Sequence, residues 1–293
     1  MHLLKRITFL IFISFYLFSC SNMIEPPTPL PEYDSMDQSP AWSPDGKWIA
    51  YTHLNANVVD SLYPTGLFII DTNGTNKKML LAGNAYSPDW SPDGKEIAFT
   101  NGNIFTIDIN TKQINQLTNN GSDFFPNWSP DIARISFDRS GTSDTVGTWI
   151  YNINTQTQTR LGIFPQLDWS QTGNQIVYSG KSENKNSESQ IWLANSDGTN
   201  QKELTSNSFS FNRYPKFSED NNKIVWEVLR NNTDNAEIWI MNTDGSNQKK
   251  FTDGSYPCWS PENSRIVYSK PVNNKITLFI IDVKTKIIKQ LTF

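Results

Sequence analysis

The sequence predicts an all-β protein, a six-bladed β-propeller built from four-stranded antiparallel blades. Three observations predict it. One aromatic-centred anchor recurs six times along residues 39–293. Each anchor is followed by two further short β-rich runs. The connectors between runs carry tight-turn chemistry. Composition agrees, with 13% aromatic and only 18% charged residues among 293. That balance excludes a disordered chain, a coiled coil and a polytopic membrane protein.

The anchors read SPAWSPDGKWIAY (39–51), SPDWSPDGKEIAF (87–99) and FPNWSPDIARISF (125–137). The later three are LDWSQTGNQIVY (167–178), YPKFSEDNNKIVW (214–226) and YPCWSPENSRIVY (256–268). Their central aromatics are Trp42, Trp90, Trp128, Trp169, Phe217 and Trp259, spaced by 48, 38, 41, 48 and 42 residues. A large ring at the same place in every repeat suits the wedge between neighbouring sheets.

Second runs such as GLFIID (66–71), EIWIMN (237–242) and TLFIID (277–282) carry the β-branched and aromatic residues of buried strands. Closing runs such as QINQLT, QKELT and IIKQLT complete each repeat. In SPDGK the Pro presets φ and Asp-Gly closes the hairpin. DTNGTN, NSDGTN and NTDGSN (71–76, 195–200, 242–247) supply the positive φ of a two-residue turn. A four-stranded sheet cannot cover both of its apolar faces alone, so stacking the repeats around an axis is the expected solution. The last repeat reaches Leu291-Thr292-Phe293. Strand exchange across the ring is not evident, so closure is expected by packing alone or by residues 24–38 covering the seam.

Residues 1–20 read as an export signal. Lys5 and Arg6 precede an apolar run, Thr8 to Phe18, too short to span a bilayer comfortably. The run ends in Leu17-Phe18-Ser19-Cys20, which resembles a bacterial lipobox and makes Cys20 the expected lipidation site. Residues 21–38 hold four Pro and read as an extended tether. The expected domains are therefore a signal peptide at 1–20, a tether at 21–38 and a propeller at 39–293.

The repeat P-x-W-S-P-D-G-x-x-I-A-[FY] resembles that of the TolB-like β-propeller family, a WD-repeat-like family of bacterial envelopes. The resemblance covers residues 39–293. It implies a periplasmic or surface-facing envelope protein, with the outer membrane preferred. TolB itself carries an α/β domain before its propeller, and residues 21–38 leave no space for one. Propeller-bearing peptidases add a hydrolase domain, and no G-x-S-x-G elbow occurs here. Lyases on this fold use clustered histidines, whereas this chain has only His2 and His53.

Function classes narrow accordingly. A net charge of −4 supplies no basic stripe, which argues against nucleic acid. With His53 and Cys258 as the sole His and Cys after residue 20, no multi-ligand Cys/His zinc site is expected. No metal, no cofactor and no catalytic residue is expected. His53 reads as an exposed or rim histidine, and Cys258 as a buried small hydrophobe. Asp45, Asp71, Asp93, Asp108 and Asp282 recur at repeat positions and read as turn and cap residues.

The candidate binding residues are Tyr86, Phe125, Phe164, Phe211, Arg213, Tyr214 and Tyr256, near the starts of the inner strands, flanked by Phe124 and Phe209. Aromatics and Arg are enriched at interface hot spots. Two insertions, 58–66 and 182–189, widen hairpins and are candidate recognition loops. The expected function is a non-enzymatic scaffold, held to the membrane by lipid, that docks an envelope protein or peptide at a channel mouth. The alternative is a glycan or small-ligand binder using the aromatic ring.

Overall fold

The computed structural model describes residues 33–55, 63–182, 189–206, 210–230 and 235–293. The expected signal peptide with Cys20, the first part of the tether, Phe209 and most of both insertions lie outside these residues.

Among the described residues twenty-four strands follow one another in chain order. The first repeat gives β1 (Ser35–Trp42), β2 (Trp48–Asn55), β3 (Gly66–Asp71) and β4 (Lys78–Ala82). The second gives β5 (Tyr86–Trp90), β6 (Glu96–Thr100), β7 (Ile104–Asp108) and β8 (Ile114–Gln116). The third gives β9 (Asp123–Trp128), β10 (Arg134–Arg139), β11 (Gly147–Asn152) and β12 (Thr157–Gly162). The fourth gives β13 (Asp168–Trp169), β14 (Gln175–Lys181), β15 (Ser189–Asn195) and β16 (Lys202–Glu203). The fifth gives β17 (Ser210–Phe217), β18 (Lys223–Arg230), β19 (Ala236–Asn242) and β20 (Lys249–Asp253). The sixth gives β21 (Ser255–Trp259), β22 (Arg265–Val272), β23 (Lys275–Asp282) and β24 (Ile288–Gln290).

The sheets correct the expected blade count. Four separate four-stranded antiparallel blades form, not six. They are β5–β8, β9–β12, β13–β16 and β17–β20. The first and sixth repeats instead share one eight-stranded sheet, ordered β21-β22-β23-β1-β2-β3-β4 with β24 on β23. The physical cause is the start of β1. Ser35 and Met36 pair in parallel with Lys275 and Ile276, and the Asp34 N–H donates to Asn274 O at 3.0 Å. The seam is therefore hydrogen-bonded. Ser35–Gln38, expected in the tether, belong to β1.

Each repeat begins with the same hairpin. The Ser43 hydroxyl donates to Asp45 and accepts the Trp48 N–H. Ser91 with Asp93 and Ser218 with Asp220 repeat the arrangement. Asp71, Asp108 and Asp282 accept backbone N–H groups from their own turns. Closing Leu-Thr pairs seal the third strands, as the Thr118, Thr205 and Thr292 hydroxyls accept the N–H groups of Ile104, Ile191 and Leu278.

The core is a series of clusters between consecutive repeats. Trp90 packs with Ala50, Leu67 and Phe99 across the first and second repeats. Trp42 joins Tyr51 and Phe68 to Val267 and Ile280 across the seam. All six anchor aromatics are buried, at 6–7% exposure. Burying a ring of that size removes about 150–250 Å² from water.

Candidate functional site: the axial cavity

The inner strand of each repeat is bent at one position. Ser39, Ser87, Phe125, Gln166, Tyr214 and Tyr256, each three residues before its anchor aromatic, all have φ between 50° and 55°. Five of the six precede a proline. The pairing register slips there, as between Gln38 and Ala41 or between Arg213 and Lys216. A bulge re-aims side chains, and here the repeated bulge brings residues from different repeats together.

Phe125 and Tyr214 belong to the third and fifth repeats, yet their ring centroids are 5.8 Å apart. Tyr214 lies 4.7 Å from Tyr256 of the sixth repeat. Gln166 of the fourth repeat accepts the Tyr214 N–H at 3.1 Å. Rings from non-neighbouring repeats meet only at the axis, so this group packs inside the channel. Burial pushes the Tyr214 and Tyr256 hydroxyls above the usual phenol range. Arg213 stacks on Tyr214, 5.5 Å from its centroid, and pairs with buried Glu227. Glu227 in turn accepts the Tyr256 N–H at 3.1 Å.

Of the seven candidate binding residues, Phe125, Arg213, Tyr214 and Tyr256 come together. The other three do not join this group. Phe164 is buried between repeats, edge-on to Tyr178 at 5.0 Å. Tyr86 is bonded to Asn84 at 3.2 Å. Phe211 lies opposite Leu229 in the fifth blade.

Two residues further along the inner strands, toward the Ser-Pro-Asp hairpins, the channel opens into a cavity of about 200 Å³. All six anchor aromatics line it. The residue before each anchor varies: Ala41, Asp89, Asn127, Asp168, Lys216 and Cys258. All but Ala41 line the cavity, with Gln171 and Glu219 among the residues around them.

The polar groups form a chain across the axis. Lys216 Nζ is 2.9 Å from Asp168 Oδ1. The other Asp168 oxygen accepts the Phe217 N–H at 2.8 Å. Asn127 donates its side-chain amide to Asp168 at 3.2 Å. Asp89 accepts the Trp128 N–H at 2.7 Å. Burial pushes the Asp89 carboxyl up to about 6, with Asp168 adding repulsion, against the pull of Lys216 and the Trp128 N–H. Burial works against the Lys216 charge, but Asp168 and Asp89 hold its ammonium above the usual range. Burial pushes the Cys258 thiol up to about 11, which keeps it protonated at neutral pH.

Cys258 is thus half-buried and lines the cavity, whereas a buried small hydrophobe is the sequence expectation. His53 also differs. It is buried at 6% exposure, and its Nδ1 lies 2.6 Å from Asp37 Oδ1. Among the described residues no group of three or more His, Cys, Asp and Glu side chains could hold a metal ion.

Sequence reasoning picks the aromatics but misses Asp89, Asn127, Asp168, Lys216 and Gln166. A signal was present. The position before the anchor changes chemistry from repeat to repeat while its neighbours stay alike. Variation at one fixed place in a repeat marks the surface that repeats do not share with each other.

A ring of antiparallel sheets whose inner strands surround an axial cavity defines a β-propeller scaffold. The sequence profile of the TolB beta propeller domain matches residues 26–187, more than half of the chain. The chain belongs to the TolB beta propeller domain family. The sequence resemblance is corrected in one respect, since the separate four-stranded blades number four and not six.

No curated protein matches the sequence. TolB from Acinetobacter baumannii is similar in structure, with a TM-score of 0.73 and 24% identity, over 84% of this chain and 64% of that one. The chain therefore spans less than two thirds of that protein. A protein assigned to TolB from Agrobacterium tumefaciens gives 0.64 and 20%, over 78% of this chain and 87% of that one. An oligogalacturonate lyase in complex with manganese gives 0.60 and 12%, over 90% of this chain and 79% of that one. Enzyme structures, lyases and peptidases alike, reach only 11–16% identity. They share the fold and transfer no activity.

Proposed function

We propose that this protein is a non-enzymatic scaffold of the bacterial envelope that docks a protein segment at the hairpin-lined mouth of its axial cavity. Lipid on Cys20 would tether it to a membrane, with the propeller facing the periplasm or the cell surface. The observation that carries the docking reading is the cavity itself. Every repeat contributes to its wall, and the aromatic group fills the axis beyond it. Such a recess receives a partner from one side. The family supplies the envelope context and the interaction role. The aromatic rings support this reading over a glycan site, because Phe125, Tyr214 and Tyr256 face one another rather than an open platform.

The test is a crosslinking pull-down from native membranes of palmitate-labelled cells. The bait is the full-length chain, beside a Gln171→Arg/Glu219→Arg variant. Both substitutions fall on exposed rim residues of the cavity. The expected result is one dominant protein partner, lost in the variant, and a palmitate label lost in Cys20→Ala. Absence of any enriched partner overturns the docking reading, and a label that survives Cys20→Ala overturns the anchor.

A further inference from the structure

The polar groups of the axial cavity are unbalanced in two ways. First, two neighbouring acceptors are short of donors. Among the described residues Asp89 accepts one hydrogen bond, from the Trp128 N–H. Asn127 is 5% exposed and spends its amide nitrogen on Asp168. Its Oδ1 is buried with no donor. A buried acceptor without a donor is costly, so it calls for a group to fill it. Asp89 bonds the backbone next to Asn127, which makes the two side chains neighbours on one wall.

Second, negative charge exceeds positive. Among the described residues Asp89, Asp168 and Glu219 line the cavity with a single cation, Lys216, and that cation is bonded to Asp168. The space of about 200 Å³ suits one long side chain rather than a folded loop. The rings of Trp90 and Trp128 on the same walls suit an aliphatic stem and a cationic head.

We propose that the cavity is a socket for one basic side chain, lysine or arginine, of the docked partner, whose N–H groups bond to Asp89 and Asn127. The inference rests on the docking reading above and names the chemistry of what docks. It also carries a pH dependence. The groups facing Asp89 are Lys216, Asp168, Cys258 and Glu219, and the Cys258 thiol stays neutral. With burial holding Asp89 near 6, its ionisation decides whether the free acceptor is charged. A basic side chain therefore binds more tightly above that pH than below it.

The experiment uses the purified full-length chain in detergent and follows tryptophan fluorescence, since five tryptophans line the cavity. The probes are acetyl-Gly-Lys-Gly-amide, acetyl-Gly-Arg-Gly-amide and the same lysine peptide acetylated on Nε. Saturable binding of the lysine or the arginine peptide is expected, and the two arms tell which head group fits. The acetylated peptide, uncharged at nearly the same size, is expected not to bind. Affinity is expected to fall roughly tenfold from pH 7.5 to pH 5, following the charge on Asp89. Asp89→Asn is expected to abolish the binding.

Equal binding of the acetylated peptide, a flat affinity across that pH range, or no binding of either basic peptide overturns the socket. The wild-type arms decide this even where Asp89→Asn fails to fold. A partner that survives in the pull-down while these peptides fail leaves the docking reading intact and removes only the basic side chain.

Discussion

At the scale of single residues, repetition makes departures informative. The third position after Ser in the anchor hairpin is left-handed throughout the chain, and Gly46, Gly94 and Gly173 fill it without cost. In the third repeat the residue is Ile132, with φ at 62° and 40% exposure. A β-branched residue in that conformation costs about 1–2 kcal/mol. Ile132→Gly is therefore expected to raise the urea midpoint by the equivalent of about 1 kcal/mol, with an unchanged m-value. An unchanged or lower midpoint would show that the turn is relaxed. Asp138 makes a second case. Burial pushes its carboxyl up to about 7, while the Gln166 N–H and the Thr148 hydroxyl bond to it. The folded chain thus holds a proton on Asp138 that the unfolded chain releases near pH 4. Stability contributed by this group is full below about pH 4 and is lost as pH rises through 7. Asp138→Asn is expected to flatten that slope in thermal melts between pH 4 and 7, leaving the smaller slope of Asp89. An unchanged slope would move the titration elsewhere.

At the scale of elements, the inner strand does two jobs. Its bulge, set by the X-Pro dipeptide in five repeats, turns three aromatics onto the axis. Its first residues, in β1, stitch the ring shut against β23. Asp37 follows directly and holds His53 of β2, so the seam end of β1 is fixed from both sides. Met36→Pro removes a backbone donor beside this parallel pairing. It is expected to lower the melting temperature by several degrees and to speed amide exchange in Lys275 and Ile276 first. Uniform exchange at those positions would mean that packing alone closes the ring. The strands, turns and anchors were legible in the sequence because each depends on its own few residues. Asp-Gly makes a hairpin wherever it stands, and Ile-Trp-Ile suits a buried strand in any sheet. The bulge was not read, although Ser39-Pro40, Tyr214-Pro215 and Tyr256-Pro257 carried it, because a left-handed residue before proline runs against the usual preference.

At the scale of the whole molecule, the ring converts small differences between repeats into one site. Asp89, Asn127, Asp168 and Lys216 are separated by roughly forty residues each and meet because each stands directly before its anchor. The sequence by itself determined the all-β class, the six repeats, the hairpins and the buried aromatics, since these rest on local propensity and a repeated pattern. It also pointed to Tyr86, Phe125, Phe164, Phe211, Arg213, Tyr214 and Tyr256 as a group, of which only Phe125, Arg213, Tyr214 and Tyr256 come together. Only the tertiary structure decided that the first and sixth repeats share one sheet, and that Phe164 packs between repeats rather than on the axis. It alone decided that His53 is buried against Asp37, and that a carboxylate and an amide oxygen stand in the cavity without enough donors. The physical reason is that pairing across the seam and charge balance on an axis are sums over distant residues. A local pattern fixes each contribution, and the closed ring fixes which of them meet.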